Sequence, residues 1–276
     1  MISIPRVILF ISAIIVFGLY GCVDDEEVRL TTDVTVEGRE MFNTSFAISE
    51  HLNLLVIPFE RYAAIENDTI PLPGCPTIAV NQEDRKVTLT FNPNVTCPNS
   101  ALRRSGIISL FYTTSLINNE EITLVEYLDY SVINLRIDGS RLVTKRTGTE
   151  LNIFKDTMAR LMVYDEFGSS TRVTSEFDHQ LTVGIDSTLQ INTTGSGGGR
   201  NLAGRIFTFN IDNQKEQYER CITEGIFVHS TGRETWTFER TVTPAVTHRM
   251  NFGETSECDR NVSILLSNGE TLIINP

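Results

Sequence analysis

Positive charge is scarce in this chain: 23 Lys and Arg stand against 35 Asp and Glu, a formal net charge of −12 in 276 residues. So acidic a chain repels phosphate backbones, which argues against a nucleic-acid partner. Histidine is sparse too, at His51, His179, His229 and His248. None stands in H-E-x-x-H, and none is spaced from another as metal ligands are. The expected positions are a helical segment for His51, an Asp-His turn for His179 and alternating strands for the other two, each as an ordinary surface or core side chain. No two cysteines have C-x-x-C spacing and no histidine lies near one, so no metal is expected. A G-x-S-x-G elbow is missing as well, and with it the commonest signal of an activated serine. The one glycine-rich run, GSGGGR at residues 195–200, is followed by a strand-like stretch at 202–210. A phosphate cradle needs a helix there, so the run is expected to be a mobile hairpin loop and no cofactor is indicated.

Long apolar runs are also missing, with one exception at the start. Arg6 precedes an apolar stretch, residues 7–17, and then Gly18, Leu19, Tyr20, Gly21 and Cys22. A membrane-spanning helix needs about 20 apolar residues, whereas a secretory signal needs a basic start, about 7–15 apolar residues and small residues at the cut. Leu19-Tyr20-Gly21-Cys22 resembles the bacterial lipobox, with Tyr20 where Ala, Ser or Val is usual. The resemblance implies cleavage before Cys22, lipid on that cysteine, and a membrane as partner through the anchor. Residues 1–21 are then a lipoprotein signal peptide, and 22–37 an acidic tether containing Asp24, Asp25, Glu26 and Glu27. That acidic run resembles the surface-export signal of Bacteroidota lipoproteins. The expected location is the outer membrane, with display at the cell surface favoured slightly over the periplasm-facing side.

With Cys22 set aside, four of the five cysteines remain: Cys75, Cys97, Cys221 and Cys258. An even number in an exported chain indicates disulfides. Of the three pairings, Cys75–Cys97 with Cys221–Cys258 is expected, because each pair then brackets a β segment and its turn.

Residues 38–68 differ from the rest of the chain. Phe42, Phe46, Ser49, Leu52, Leu55 or Val56, Phe59 and Ala63 recur every three to four residues, the helical period, and Pro58 should kink or split the segment. It is expected to dock an apolar stripe on a β core. From residue 69 to 276 the period is two: 87–91, 106–113, 123–127, 141–144 and 234–242 alternate or are β-branched and aromatic. Turns are expected at Asp138-Gly139-Ser140, Thr147-Gly148, Asn213-Gln214 and Asn268-Gly269, the last closing a hairpin of 262–266 with 270–275. The fold class is therefore mainly β, an antiparallel meander or sandwich-like pair of sheets with an N-terminal helical segment. A weak echo, LTF six residues before Cys97 and MNF six before Cys258, would divide the β region into two related halves.

The stretches CPTIAV at 75–80, VTLTF at 87–91, Cys97 and RSGIISLFYT at 104–113 resemble a set of uncharacterised lipoproteins of the Bacteroidota. A mid-chain hairpin at 135–147 and the Cys221, Trp236, Gly253, Cys258 region extend the likeness over most of the mature chain. The chain departs from that set at residues 91–97, where a D-F-G-x-G-C turn is common. The resemblance implies fold class, compartment and disulfides, and no activity.

Candidate chemistry is thin. Glu126, Asp129, Asp165, Glu166 and Asp178 supply carboxylates, without a spacing that singles out a hydrolytic pair. Asp68-Thr69-Ile70, Asp156-Thr157-Met158 and Asp186-Ser187-Thr188 resemble the Bacteroidota O-glycosylation signal, making Thr69, Thr157 and Ser187 candidate sites. The competing reading is ordinary Asp-Ser/Thr turn chemistry. Trp236 is expected in the core. The expected function is a lipid-anchored binding or structural protein without catalytic residues, contacting an unknown protein or glycan. The alternatives are a carbohydrate-binding accessory protein and a hydrolase with a carboxylate pair.

Overall fold

The computed structural model describes residues 33–65, 72–95, 97, 102–115, 120–145, 152–183, 189–241, 243–253, 258 and 261–275. Cys22, the tether up to residue 32, Thr69, Ser187 and the Thr147-Gly148 turn lie outside them.

Among the described residues the protein is mainly β, one antiparallel sheet of 13 strands in which every strand pairs with its neighbour in sequence. The strands are β1 (Thr77–Asn81), β2 (Lys86–Phe91), β3 (Arg104–Thr114), β4 (Glu121–Val132), β5 (Leu135–Lys145), β6 (Asn152–Tyr164) and β7 (Ser170–Val183). They continue as β8 (Leu189–Arg200), β9 (Ile206–Tyr218), β10 (Thr231–Phe238), β11 (Val246–Asn251), β12 (Val262–Leu265) and β13 (Thr271–Ile274). Helix α1 (Val34–Ser49) comes first, then α2 (Leu52–Leu55) and α3 (Phe59–Ile65); a short α4 (Glu219–Thr223) separates β9 from β10. Pro58 stands just ahead of α3 and splits the helical segment, as its missing N–H requires.

Helix α1 explains the curvature. Its residues, with Glu50 just past its end, reach Tyr130 on β4, Arg141 on β5, Thr171 on β7, Glu234 on β10 and His248 on β11, and Gly38 packs on Leu272 of β13. One helix can touch strands so far apart only if the sheet curls around it. The helix is therefore enclosed, and not docked by a stripe. Met41, Phe42, Phe46, Ala47 and Ile48 are buried, and so are Glu37, Glu40, Ser45 and Ser49 on its other sides. It begins at Val34, four residues before the expected segment.

Three hairpins share one turn design. In each, the residue opening the loop donates its N–H across the hairpin and accepts from a glycine three residues on: Asp165 with Gly168, Asn201 with Gly204, and Leu266 with Gly269. Those glycines have φ of 80°, 76° and 88°, the left-handed region a side chain disfavours. The Asn268-Gly269 hairpin thus forms where expected.

Other expected turns are strand. Asp138-Gly139-Ser140 lies in mid-β5, where Gly139 comes so close to β6 that an added Cβ would stand 2.5 Å from the Arg160 carbonyl oxygen. Residues 135–145 are consequently one strand, and the β4–β5 reversal falls at Ile133 and Asn134. Asn213-Gln214 lies within β9 beside a register shift against β10. The glycine run is no loop either: residues 195–200 complete β8. Gly199 is required there, since a Cβ would sit 1.8 Å from the Arg172 carbonyl oxygen, and Gly197 makes room for the Phe209 ring.

Candidate functional site

The groups most able to do chemistry line the interior, in three clusters along α1. At its N-terminal end Glu37 accepts hydrogen bonds from Arg205 (2.9 Å), from both terminal nitrogens of Arg240 (2.6 Å each) and from His248 (3.2 Å). The His248 Nδ1 accepts from the Ser267 N–H, which leaves the proton on Nε2 to face Glu37. Burial pushes the Glu37 carboxyl up, but the bonds from His248, Arg240 and Arg205 prevail and hold it at about 2. One turn on, Glu40 accepts from Thr171 (2.5 Å) and the Leu202 N–H (2.8 Å) with no cation bonded among the described residues, and burial raises its pKa.

In the middle, Glu234 of β10 takes three donors: Lys215 (2.5 Å), Ser45 of the helix (2.8 Å) and the Trp236 indole N–H (2.8 Å). Trp236 is core, as expected, stacked on Phe209 with ring centroids 4.5 Å apart.

At the C-terminal end Glu50 accepts from Arg104 through Nε (3.0 Å) and Nη2 (2.8 Å), from the His51 Nδ1 (3.0 Å) and from Tyr130 (2.5 Å). Desolvation opposes the charge, yet Arg104, His51 and Tyr130 keep the Glu50 carboxyl at about 2. Arg141 forks onto Asp156 and caps the helix by donating to the Ile48 carbonyl oxygen at 2.8 Å. Asp156 also meets the His179 Nε2 at 3.2 Å, and the His179 Nδ1 meets Thr193 at 2.9 Å. Burial lowers the pKa of His51 and of His179, so both are neutral near pH 7.

Hydroxyl, imidazole and carboxylate in a row, as in Thr193, His179 and Asp156, is the order of a nucleophilic triad. Here Asp156 is also forked by Arg141, and His179 and Thr193 are 2% and 3% exposed. A substrate carbonyl has no approach to that hydroxyl. The arrangement neutralises charge and fixes α1 in register; it holds no place for a reacting atom.

All four histidines are buried, and two stand elsewhere than expected. His179 is in mid-β7, not a turn, and His229 is in the connection between α4 and β10, not on a strand. The carboxylates considered for hydrolysis are dispersed over the convex outer face: Glu126 and Asp129 on β4, Asp178 on β7, Asp165 and Glu166 in the β6–β7 turn. Among the described residues no three His, Cys, Asp or Glu side chains are grouped to hold a metal ion.

Both disulfides form with the expected pairing, Cys75–Cys97 and Cys221–Cys258, at Cα–Cα distances of 5.5 and 5.2 Å. The first brackets the β1–β2 hairpin and the second the β10–β11 hairpin. Thr157 is half-buried in mid-β6, facing outward while its neighbour Asp156 faces in. That Asp-Thr pair is therefore not turn chemistry.

Sequence reasoning missed the interior clusters. Glu37 falls in the expected acidic tether and Glu40 lies off the stripe of Phe42 and Phe46, so neither reads as interior. The signal that could have found them is several isolated charges at inward positions of otherwise alternating strands: Arg141, Asp156, Lys215 and Glu234. No family model, curated protein or solved structure matches this chain.

Proposed function

We propose that this protein is a lipid-anchored component of the bacterial cell envelope, cut before Cys22 and held at the outer membrane, acting as a non-enzymatic binding or structural scaffold. The observation that carries the scaffold reading is the interior. Its triad-like group is sealed from solvent, and its charged clusters are paired around α1, with Arg205 and Arg240 at the N-terminal end partly exposed. That leaves the outer face for encounters with a partner. Export agrees with the two disulfides, which persist in oxidising compartments. The resemblance of residues 75–113 to Bacteroidota lipoproteins points the same way.

Attachment through lipid is favoured over spanning by strands. Lys155, Arg160, Arg172 and Arg249 project outward from the sheet, and at a bilayer midplane each would cost about 2–4 kcal/mol. A glycan reading based on aromatic stacking has less support: Trp236 is 1% exposed, and of the described tyrosines only Tyr164 is not buried. A hydrolase reading lacks a cleft between its candidate carboxylates.

The test is metabolic labelling with palmitate in a host that processes lipoproteins. The native chain is expected to take label and partition with membranes, and Cys22→Ser to lose both. Label on Cys22→Ser, or its complete retention in the membrane fraction, would overturn the anchor.

A further inference from the structure

Outside the clusters already described, the outer face carries a concentration of basic side chains among the described residues. Arg172 on β7 and Arg200 on β8 are directly opposed across the strand pair, and Arg160 on β6 completes the group one strand further. Like charges placed face to face on a sheet destabilise it, so a sequence with 35 acidic residues would ordinarily put one of them at such a position. All three are exposed, and among the described residues neither Arg160 nor Arg172 forms an ion pair. Arg200 donates to the Gly204 carbonyl oxygen at 2.9 Å, which fixes its direction while leaving its charge unneutralised. The one carboxylate in the lining, Glu176, is taken by Lys155 at 3.0 Å.

These arginines rim a groove of about 660 Å³ whose floor is the glycine run of β8. The glycines are demanded by close backbone approach: a Cβ on Gly198 would lie 2.6 Å from the Phe207 carbonyl oxygen. The result is a depression one side chain deep between Thr174 on β7 and Thr208 on β9, whose Cα positions both pair with Gly198. The volume suits a small ligand or one or two residues of a polymer. The hydroxyls of Ser196 and Thr208 offer neutral hydrogen bonds along the floor, while that of Thr174 donates to the Ala159 carbonyl oxygen at 3.0 Å, and the arginines offer forked donors at one end.

We infer that this groove binds a ligand bearing an oxyanion (phosphate, sulfate or carboxylate), with Arg172 and Arg200 gripping the anion and Arg160 assisting from the rim. The inference deepens the proposed binding role by naming a ligand class, and it does not depend on the anchor.

The experiment is calorimetric titration of the full chain, purified in non-ionic detergent at low ionic strength. The probes are inorganic phosphate, a sulfated oligosaccharide, an oligogalacturonate and a neutral maltooligosaccharide. Binding of at least one anionic probe is expected, weakening steeply with salt, with none for the neutral sugar. Phosphate alone among the anions would identify a free phosphate or its ester; the sulfated sugar or the uronate alone would identify a glycan. Arg172→Gln with Arg200→Gln should weaken binding at least tenfold. Thr208→Tyr, which fills the groove without altering charge, should weaken it as well, and Arg249→Gln on β11 should not. No anion binding, or equal weakening by Arg249→Gln, overturns the inference. Anion binding by a chain that takes no palmitate would leave the groove standing and remove the anchor.

Discussion

The two faces of the sheet treat charge in opposite ways. Inside, Arg104, Arg141, Lys215 and Arg240 each meet a carboxylate, and those carboxylates take hydrogen bonds from tyrosine, serine, tryptophan or histidine as well. Outside, the ion pairs such as Lys155–Glu176 are exposed, and among the described residues Arg160 and Arg172 stand near one another without a carboxylate partner. Buried ions lose several kcal/mol of hydration and persist only where geometry restores it. Exposed ions face no such demand. A charge inside therefore specifies structure, here the position and orientation of α1, whereas an unpaired concentration outside is free to specify a ligand.

Breaking the inner pairing has the largest expected effect. Asp156→Ala strands Arg141, itself 2% exposed, and should destabilise by about 3–5 kcal/mol in denaturant unfolding. Replacing both, Arg141→Met with Asp156→Leu, should recover most of that loss, because no unpaired ion remains. A double variant as unstable as the single one would show that the pair matters through shape and not charge. Next come the staples. Loops of 22 and 37 residues correspond to about 3–4 kcal/mol each in the chain-entropy model, an upper figure. Cys75→Ser with Cys97→Ser, and separately Cys221→Ser with Cys258→Ser, should lower the midpoint while keeping the β-rich circular dichroism.

Acid sharpens the comparison further. Glu37 and Glu50 fall from an ordinary 4.5 to about 2, so the folded state binds fewer protons there than the unfolded one. Their stabilisation is complete above 4.5 and is lost as pH falls from 4.5 through 2. Buried His51, His179 and His229, all lowered from 6.5, act in the same direction from pH 6.5 downward. Glu40, raised by burial, opposes them by favouring the folded state in acid. Midpoints measured from pH 7 to pH 2 should decline in two stages, and Glu37→Gln should flatten the lower one. The smallest effect belongs to the outer face: Arg172→Gln should change stability by about 0.5 kcal/mol or less. A loss of several kcal/mol there would assign Arg172 to the fold and remove it from recognition.

The same contrast explains what could be read from the amino acids. The Asn268-Gly269 hairpin, the helical period around Phe42 and Phe46, and both disulfide pairs rest on local chemistry, and they were legible. Strand boundaries in β5 and β8 were not, because Gly139, Gly197 and Gly199 resemble turn residues, while their actual cause is a neighbouring strand's carbonyl or ring. The enclosed helix was illegible for a related reason. On β5, β6 and β7 the inward series includes Arg141, Asp156 and His179, so alternation of apolar with polar does not reveal which face is inside. For the outer groove, composition gave only the scarcity of basic residues. That three of them gather beside a glycine floor is a property of register.

The meander also orders events in time. Every strand pairs with the one made just before it, so the sheet can grow by short closures as the chain emerges, each with a small loop entropy. The bonds of α1 span far longer separations, up to 211 residues between Glu37 and His248. The helix is thus synthesised ahead of every strand, and its N-terminal end is the last to be secured. Until β11 arrives, Glu37 lacks His248; once it has arrived, α1 can leave only if strands part. A helix that is a loose leader during synthesis becomes, on completion, the element the whole sheet is closed upon.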